Sequence, residues 1–172
     1  STKILQAMNR RYTKEQYLAL AEKIRRAIPD ISITTDIIVG FPGETPADVD
    51  ETIDVVRRVG FDNAFTFLYS RRTGTPAAAM ENQVPEAEAK RGFDKLLQAV
   101  QDTARARAAG WEGQSAEALV EEVNSHDGRL LTGRLSNNML VHFPGSPDLV
   151  GRYVNVRLET CRGFYYMGQI LR

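Results

Sequence analysis

The stretch Asp36-Ile37-Ile38-Val39-Gly40-Phe41-Pro42-Gly43-Glu44-Thr45 is an apolar run that breaks at Gly-Phe-Pro-Gly and leads directly into a predicted helix. Such a run is typical of a parallel strand that is buried on both faces. Gly40 and Gly43 permit backbone conformations that other residues avoid, and Thr45-Pro46 is a typical helix start. Ligands in α/β folds bind beyond the carboxyl ends of strands, so the stretch predicts a ligand-binding corner with free backbone amides. A tight turn kept for geometry alone is an equally open interpretation.

The composition is that of an ordinary globular protein of one or two domains. The chain has 172 residues, of which 42% are hydrophobic and 26% are charged, and its formal net charge is zero. A zero net charge gives no overall attraction to nucleic acid or to a membrane. The apolar runs are too short to span a membrane and no signal-peptide pattern is present, so we expect a cytoplasmic protein without a membrane partner.

The residues that commonly bind metals are few. Cys161 is the single cysteine, which excludes a disulfide framework and a metal or iron–sulfur site built from cysteines of this chain alone. Neither His126 nor His142 has a second histidine or a cysteine at ligand spacing. We therefore expect no metal site.

The first part of the chain reads as alternating helices and strands. Thr13 with Gln16 forms a capping-box pattern, and Pro29 ends the helix that follows it. The further elements are a strand over 31–39, a helix over 46–59, a strand over 64–70 and a long helix from Pro85 to about Ala109. Two strands separated by a helix predict a right-handed parallel βαβ unit. Two doubly buried strands need neighbours, so we expect further strands upstream of Ser1; a two-layer domain that pairs with another subunit is the alternative.

Two arginines follow the second predicted strand, in the loop from Arg71 to Pro76. Guanidinium groups at a strand's carboxyl end can bind a carboxylate or a phosphate, and Arg71, Arg72 and Thr75 are candidate substrate contacts. A solvated rim is the other interpretation. Asp36 is a further candidate, because a carboxylate near the carboxyl end of a barrel strand is often functional.

From Gln114 onward the apolar period changes from helical to alternating. About five short strands separated by turns predict a small closed or nearly closed barrel of the oligonucleotide-binding kind. We place the domain boundary at Gly110, which gives domains of residues 1–110 and 111–172. Acids slightly outnumber bases beyond Trp111, so any basic surface would be a local patch. The candidate RNA contacts are Arg134, Asn138, His142, Phe143, Arg162, Tyr165 and Tyr166.

Several stretches together resemble one known family. They are 1–10 (STKILQAMNR), 35–45 (TDIIVGFPGET), 64–70 (AFTFLYS), 74–78 (GTPAA), 82–85 (NQVP), and, near the end, 131–134 (LTGR), 137–138 (NN) and 141–145 (VHFPG). The first five resemble radical-SAM methylthiotransferases, and the last three resemble the TRAM domain of those enzymes. Asp36 and the stretch 64–67 favour the branch that modifies an isopentenylated adenosine beside the tRNA anticodon. The alternative branch modifies an aspartate of a ribosomal protein.

The resemblance implies a fold, cofactors and partners. The fold would be α/β, the C-terminal part of a radical-SAM (β/α) partial barrel, followed by a small all-β TRAM barrel that is OB-like. S-adenosylmethionine would contact Asp36, Gly40, Phe41, Pro42, Gly43 and Glu44. The family's 4Fe-4S clusters would be held by an N-terminal part of the same chain, because the cluster cysteines are absent here. The RNA partner would be a tRNA anticodon stem-loop.

Two further expectations follow from the missing cysteines. This part of the protein should be inactive alone, and the resemblance assigns no catalytic residue within it. A non-catalytic RNA-binding module is the rival interpretation.

Overall fold

The computed structural model describes residues 1–171, which form two compact units divided between Ala104 and Arg105. The first unit contains α1 (Thr2–Ala7), α2 (Lys14–Ala27), β1 (Thr34–Val39), α3 (Pro46–Val59), β2 (Asn63–Leu68), α4 (Pro76–Ala79) and most of α5 (Glu86–Ala109). The second contains β3 (Ser115–Val123), β4 (Leu130–Leu135), β5 (Leu140–Pro144), a 3₁₀ turn (Pro147–Leu149), β6 (Tyr153–Cys161) and β7 (Tyr165–Ile170).

Local sequence signals determine the helix starts of the first unit. Thr13 and Thr45 begin α2 and α3, and each forms a capping box with the residue three positions later. Pro46 occupies the first turn of α3, where its missing N–H costs no hydrogen bond. Gly60 ends α3 in the left-handed conformation, with a φ of 66°. These signals were all readable from the sequence.

The two strands of the first unit form the predicted parallel pair. The register runs from Thr34 opposite Asn63 to Val39 opposite Leu68. One face of the pair packs on α3 and α5, where the buried residues include Val39, Val49, Ile53, Val56, Leu96 and Val100. Within the described chain, β1 has a strand partner on one side only.

The other face of this sheet is open, which contradicts the expected burial on both faces. Ile38 is 39% exposed, Phe65 is 56% exposed and Phe67 is 51% exposed. The reason is that helices cover only the opposite face, so the exposure of β1 alternates along the strand. The strand also begins at Thr34 instead of Ile31.

The second unit is a closed barrel of five strands in the order β3-β4-β5-β7-β6, in which β6 pairs back with β3. All neighbouring pairs are antiparallel except β5 and β7. This order confirms the predicted OB-like barrel. Its core contains Ala118, Val120, Leu131, Val141, Phe143, Val156, Leu158 and Tyr166.

Two details show how tightly the barrel is packed. A Cβ on Gly168 would lie 2.5 Å from the carbonyl oxygen of Arg157, so this position of β7 requires glycine. The Tyr166 hydroxyl is buried and donates a hydrogen bond of 2.8 Å to the carbonyl of Ala108, at the end of α5. Phe164 precedes β7 and is 87% exposed.

No helix within residues 1–171 is long and apolar enough to cross a membrane.

Candidate functional site

Four backbone amides of the turn that follows β1 are already hydrogen-bonded within the protein. The amide of Gly40 donates to the carboxylate of Glu44, and that of Gly43 donates to the carbonyl of Asn82 at 2.8 Å. The amide of Glu44 donates to the carbonyl of Phe41 at 2.9 Å, and the amide of Thr45 donates to Asp48 at 2.9 Å. Our expectation of free amides at this corner is therefore wrong for these four groups. Glu44 and Asp48 fold back to accept from Gly40 and Thr45, and Asn82, distant in the chain, accepts from Gly43.

The amino end of α3 is closed by the side chain of Asp48. Its carboxylate accepts hydrogen bonds from Ser1 Oγ (2.7 Å), Lys3 Nζ (2.9 Å) and Thr45 Oγ1 (2.7 Å). Burial opposes ionisation, but the bonds from Lys3, Ser1 and Thr45 outweigh it and hold the pKa of Asp48 well below its usual range. An external anion would have to displace this carboxylate, so the helix end is not a vacant anion site.

Both glycines of the turn are favoured by their left-handed backbone conformation, and Gly40 is also favoured by packing inside the chain. Gly40 has a φ of 83°, and a Cβ on it would lie 2.8 Å from the Cβ of Ala89 in α5. Gly43 has a φ of 82°, and a Cβ on it would collide with the side-chain amide of Asn82. The left-handed conformation and these neighbours account for glycine at both positions without a ligand.

The remaining side chains of the turn are buried. Phe41 is 7% exposed and packs edge-on against the ring of Tyr69, with 5.4 Å between centroids, and Pro42 is fully buried. Both side chains belong to the core, so a cofactor contact at these two positions would come from the backbone. Glu44 is 8% exposed, and burial raises the pKa of its carboxyl group.

Asp36 is the cofactor candidate whose side chain is open. It lies opposite Phe65 in the register and faces outward with Ile38 and Phe67 on the exposed side of the sheet. A cleft of about 260 Å³ runs along the unpaired edge of β1, and Asp36, Ile38 and Glu44 are among its lining residues. The structure thus brings the exposed carboxylate of Asp36, apolar side chains such as Ile38, and the turn that contains Glu44 to the same cleft.

In the loop after β2, Arg71 is hydrogen-bonded, Arg72 is exposed, and Thr75 caps a helix. Arg71 Nε donates to the carbonyl of Ala78 at 2.8 Å. The hydroxyl of Thr75 donates to the carbonyl of Arg72 at 2.8 Å and accepts from the amide of Ala78, which makes Thr75 the cap of α4. Arg72 is exposed and has no ion pair with any residue in 1–171.

The barrel candidates divide between core and surface. Phe143 and Tyr166 have no exposed surface, so our assignment of these two rings to RNA contact is wrong; they face inward because strand residues alternate. Arg134 donates from Nε and one terminal nitrogen to both oxygens of Glu121, at 2.6 and 2.9 Å. Its other terminal nitrogen donates to Asn138, whose φ of 68° places it in the left-handed region of the turn.

The outward candidates are His142, Tyr165 and Arg162. The centroids of the His142 and Tyr165 rings lie 4.7 Å apart, and the angle between the ring planes is 51°. Arg162 is exposed at the tip of the β6–β7 connection, where its amide donates to the carbonyl of Tyr165 at 2.8 Å. These three residues form a surface with rings and one cation.

Sequence reasoning missed two residues that bind the candidate side chains of the barrel. Glu121 neutralises Arg134, and Asn124 bonds to His142 Nδ1 at 3.1 Å. The Asn-x-x-Asp-Gly pattern that begins at Asn124 was a visible turn signal, but the pairing of Glu121 depends on the register between β3 and β4.

Comparisons with known proteins match both units. Residues 1–56 match the model of the radical SAM superfamily, and residues 111–171 match the TRAM domain model. A tRNA-2-methylthio-N(6)-dimethylallyladenosine synthase of Lachnoclostridium phytofermentans is 56% identical over 99% of this chain and 38% of its own length. Proteins of the same name from Acetivibrio thermocellus and Clostridium novyi are 48% and 45% identical over 100% and 99% of this chain, which covers 36% and 38% of them. The chain thus spans little more than a third of these relatives and matches their C-terminal portion.

Proposed function

Because the chain is a member of the radical-SAM tRNA methylthiotransferase family, we propose that the complete protein adds a methylthio group to an isopentenylated adenosine next to the tRNA anticodon. The observation that carries this proposal is the 56% identity across both units to a relative named for that product. The relatives are named for tRNA, which favours tRNA over a ribosomal-protein aspartate as substrate.

The cofactors divide between this chain and the rest of the protein. A 4Fe-4S cluster does not fit the residues present, since Cys161 is the single thiol and residues 1–171 contain no group of three potential metal ligands. S-adenosylmethionine fits better, because the open face of β1 offers a carboxylate beside apolar side chains. Asp36 would contact the polar part of the cofactor, and the turn from Gly40 to Glu44 would shape the site's wall. When bound to its cluster, this cofactor supplies the radical chemistry of the family.

The RNA contacts belong to the second unit and to the loop after β2. Arg162 and Arg72 are exposed guanidinium groups suited to phosphates, and Asn138 adds an exposed turn beside Arg134. The imidazole of His142 can hydrogen-bond to RNA, and the ring of Tyr165 can stack on a base. We infer that the partner is an anticodon stem-loop, because the base to be modified lies beside the anticodon.

The test uses the complete protein, expressed with its N-terminal part and reconstituted with iron and sulfide without oxygen. Nucleosides from treated tRNA are analysed by mass spectrometry for the methylthio derivative of isopentenyladenosine. We expect the product with the wild-type protein and a large loss with Asp36→Ala, whereas Asp94→Ala, on the exposed face of α5, should behave as wild type. Absence of product from the wild-type protein with an intact cluster would contradict the proposal.

For the 172-residue chain alone we propose an RNA-binding role without catalysis. The specific observation is that the TRAM match covers residues 111–171 while the chain lacks cluster cysteines. Anaerobic reconstitution of the chain and of Cys161→Ser decides the point. A stoichiometric cluster spectrum that depends on Cys161 would overturn it.

A further inference from the structure

A small polar patch lies on the outside of the barrel, where β4, β5 and β7 run side by side. Val141 and Tyr166 point into the core, so alternation turns His142 and Tyr165 outward. The register places Thr132 opposite His142. We call the group Asn124, Thr132, His142 and Tyr165 the His142 patch.

The orientation of the Asn124 amide is fixed by the backbone around it. Its Oδ1 accepts from the amides of His126 (2.9 Å) and Asp127 (3.0 Å). The amide nitrogen therefore faces the other way, toward His142 Nδ1 (3.1 Å) and Thr132 Oγ1 (3.2 Å). Because this nitrogen can only donate, the 3.1 Å contact favours an acceptor at Nδ1 of His142, and the hydroxyl of Thr132, 3.2 Å from Nδ1, can donate to the same acceptor.

This arrangement determines the tautomer of the imidazole. With Nδ1 accepting, a neutral His142 carries its proton on Nε2, and burial lowers the pKa of the ring, although the nearby charge of Glu122 acts in the opposite direction. The patch thus presents an N–H donor on an uncharged ring.

The electrostatics favour a neutral ligand group over a phosphate. Arg134, the cation of the neighbouring strand, already pairs with both oxygens of Glu121. Glu122 adds a carboxylate opposite Thr132 in the register. Inside the patch a phosphate would meet these acids, and the exposed cation Arg162 stands next to the patch, where it can bind a phosphate itself. The uncharged edge of a base, in contrast, has acceptor atoms suited to the imidazole donor.

We propose that the His142 patch holds one unpaired base of the bound RNA, which stacks on Tyr165 and accepts a hydrogen bond from Nε2 of His142. This inference rests on the proposed RNA-binding function and deepens it, since it assigns base contact to this face and phosphate contact elsewhere. Tyr165 is partly exposed, and stacking on such a ring tolerates any base, so the patch would detect an open strand instead of a particular sequence.

The test measures binding of the 172-residue chain to two RNA probes over a series of salt concentrations. One probe is an anticodon stem-loop, and the other is a fully paired duplex with the same number of phosphates. We expect Tyr165→Ala to weaken stem-loop binding by roughly 5- to 150-fold. The salt slope should not change, because no phosphate contact is lost. Tyr153→Ala is the matched control, since Tyr153 is 65% exposed on β6 of the same barrel.

Histidine variants test the donor separately. His142→Ala should weaken stem-loop binding by roughly 2- to 10-fold, the equivalent of one neutral hydrogen bond, and His142→Gln should restore it because its amide places a donor near Nε2. Duplex binding should be the same for all variants. Nitrogen-15 NMR of the free chain should show the Nε2–H tautomer of His142 at neutral pH.

The outcomes separate the two proposals. If the wild-type chain binds neither probe, the proposed RNA-binding function fails. If it binds the stem-loop and the Tyr165 and His142 variants bind equally well, the inference alone is overturned. A cationic or Nδ1–H imidazole would also overturn it. Trp111 fluorescence verifies that each variant is folded, and Tyr165→Leu replaces Tyr165→Ala if the smaller residue unfolds the barrel.

Discussion

Removing the carboxylate of Asp48 should destabilise the start of α3 strongly. This side chain is 8% exposed and serves as the capping-box partner of Thr45 while it also binds Ser1 and Lys3. Loss of the cap costs about 0.5–2 kcal/mol, and loss of a hydrogen bond to a charged group costs about 1.5–3 kcal/mol. The Lys3 contribution is discounted because that side chain is 58% exposed. The expected total for Asp48→Ala is about 2–4 kcal/mol.

Hydrogen exchange of the α3 amides, followed by mass spectrometry, measures this change locally. A loss of about 2–4 kcal/mol corresponds to exchange that is roughly 30- to 1,000-fold faster. Asp50→Asn is the matched control on the same helix, because its ion pair with Lys95 is exposed and should change the free energy by less than about 0.5 kcal/mol. Peptides of the barrel should exchange as in the wild-type chain.

The same carboxylate predicts a pH dependence. The pKa of Asp48 is lower in the folded protein than in the unfolded chain, so its stabilising contribution is present above about pH 4 and is lost as the pH falls below that value. Protection of the α3 amides, measured relative to their intrinsic exchange rate at each pH, should therefore decrease in acid in the wild-type chain and less so in Asp48→Ala. An equal loss of protection in both chains, or an effect of Asp48→Ala no larger than that of Asp50→Asn, would refute the reasoning.

Three further predictions concern packing and capping. Gly168→Ala should destabilise the barrel by at least about 2 kcal/mol in denaturant unfolding followed by Trp111 fluorescence, because its Cβ would meet a backbone carbonyl, whereas Gly128→Ala has open space and should cost less than about 0.5 kcal/mol. Gly40→Ala should destabilise the first unit by about 2–4 kcal/mol through positive φ and contact with α5, and near-wild-type far-ultraviolet circular dichroism melting would contradict this. Thr13→Ala should cost about 0.5–2 kcal/mol and accelerate exchange at the start of α2; unchanged exchange there would show that the capping box is not needed.

The sequence predicted best what depends on neighbouring residues. Capping boxes and the first-turn proline fix α2 and α3 locally, so their starts could be read directly from the chain. The five-strand barrel followed from alternation and turns, although alternation alone did not say which face points inward. Phe143 was assigned to RNA for that reason, and only closure of the barrel shows that its side chain belongs to the core.

What could not be predicted depends on residues distant in the chain. The glycines after β1 suggested a ligand, yet the neighbour of Gly40 is Ala89 and that of Gly43 is Asn82, both far along the chain. The Arg134–Glu121 pair depends on strand register in the same way. A local motif does not indicate which of its polar groups are hydrogen-bonded to residues distant in the chain.

The bond between Tyr166 and Ala108 bears on where the barrel can be separated from the rest of the protein. A fragment that starts at Trp111, where the TRAM match begins, would lack Ala108 and leave a buried phenol without an acceptor. Such a group costs about 1–3 kcal/mol, a large share of the stability of so small a domain. A fragment that starts at Arg105 would keep the acceptor and the small side chain that covers this end of the core. We therefore expect the shortest stable fragment to be longer than the family match and to begin with helical residues of α5.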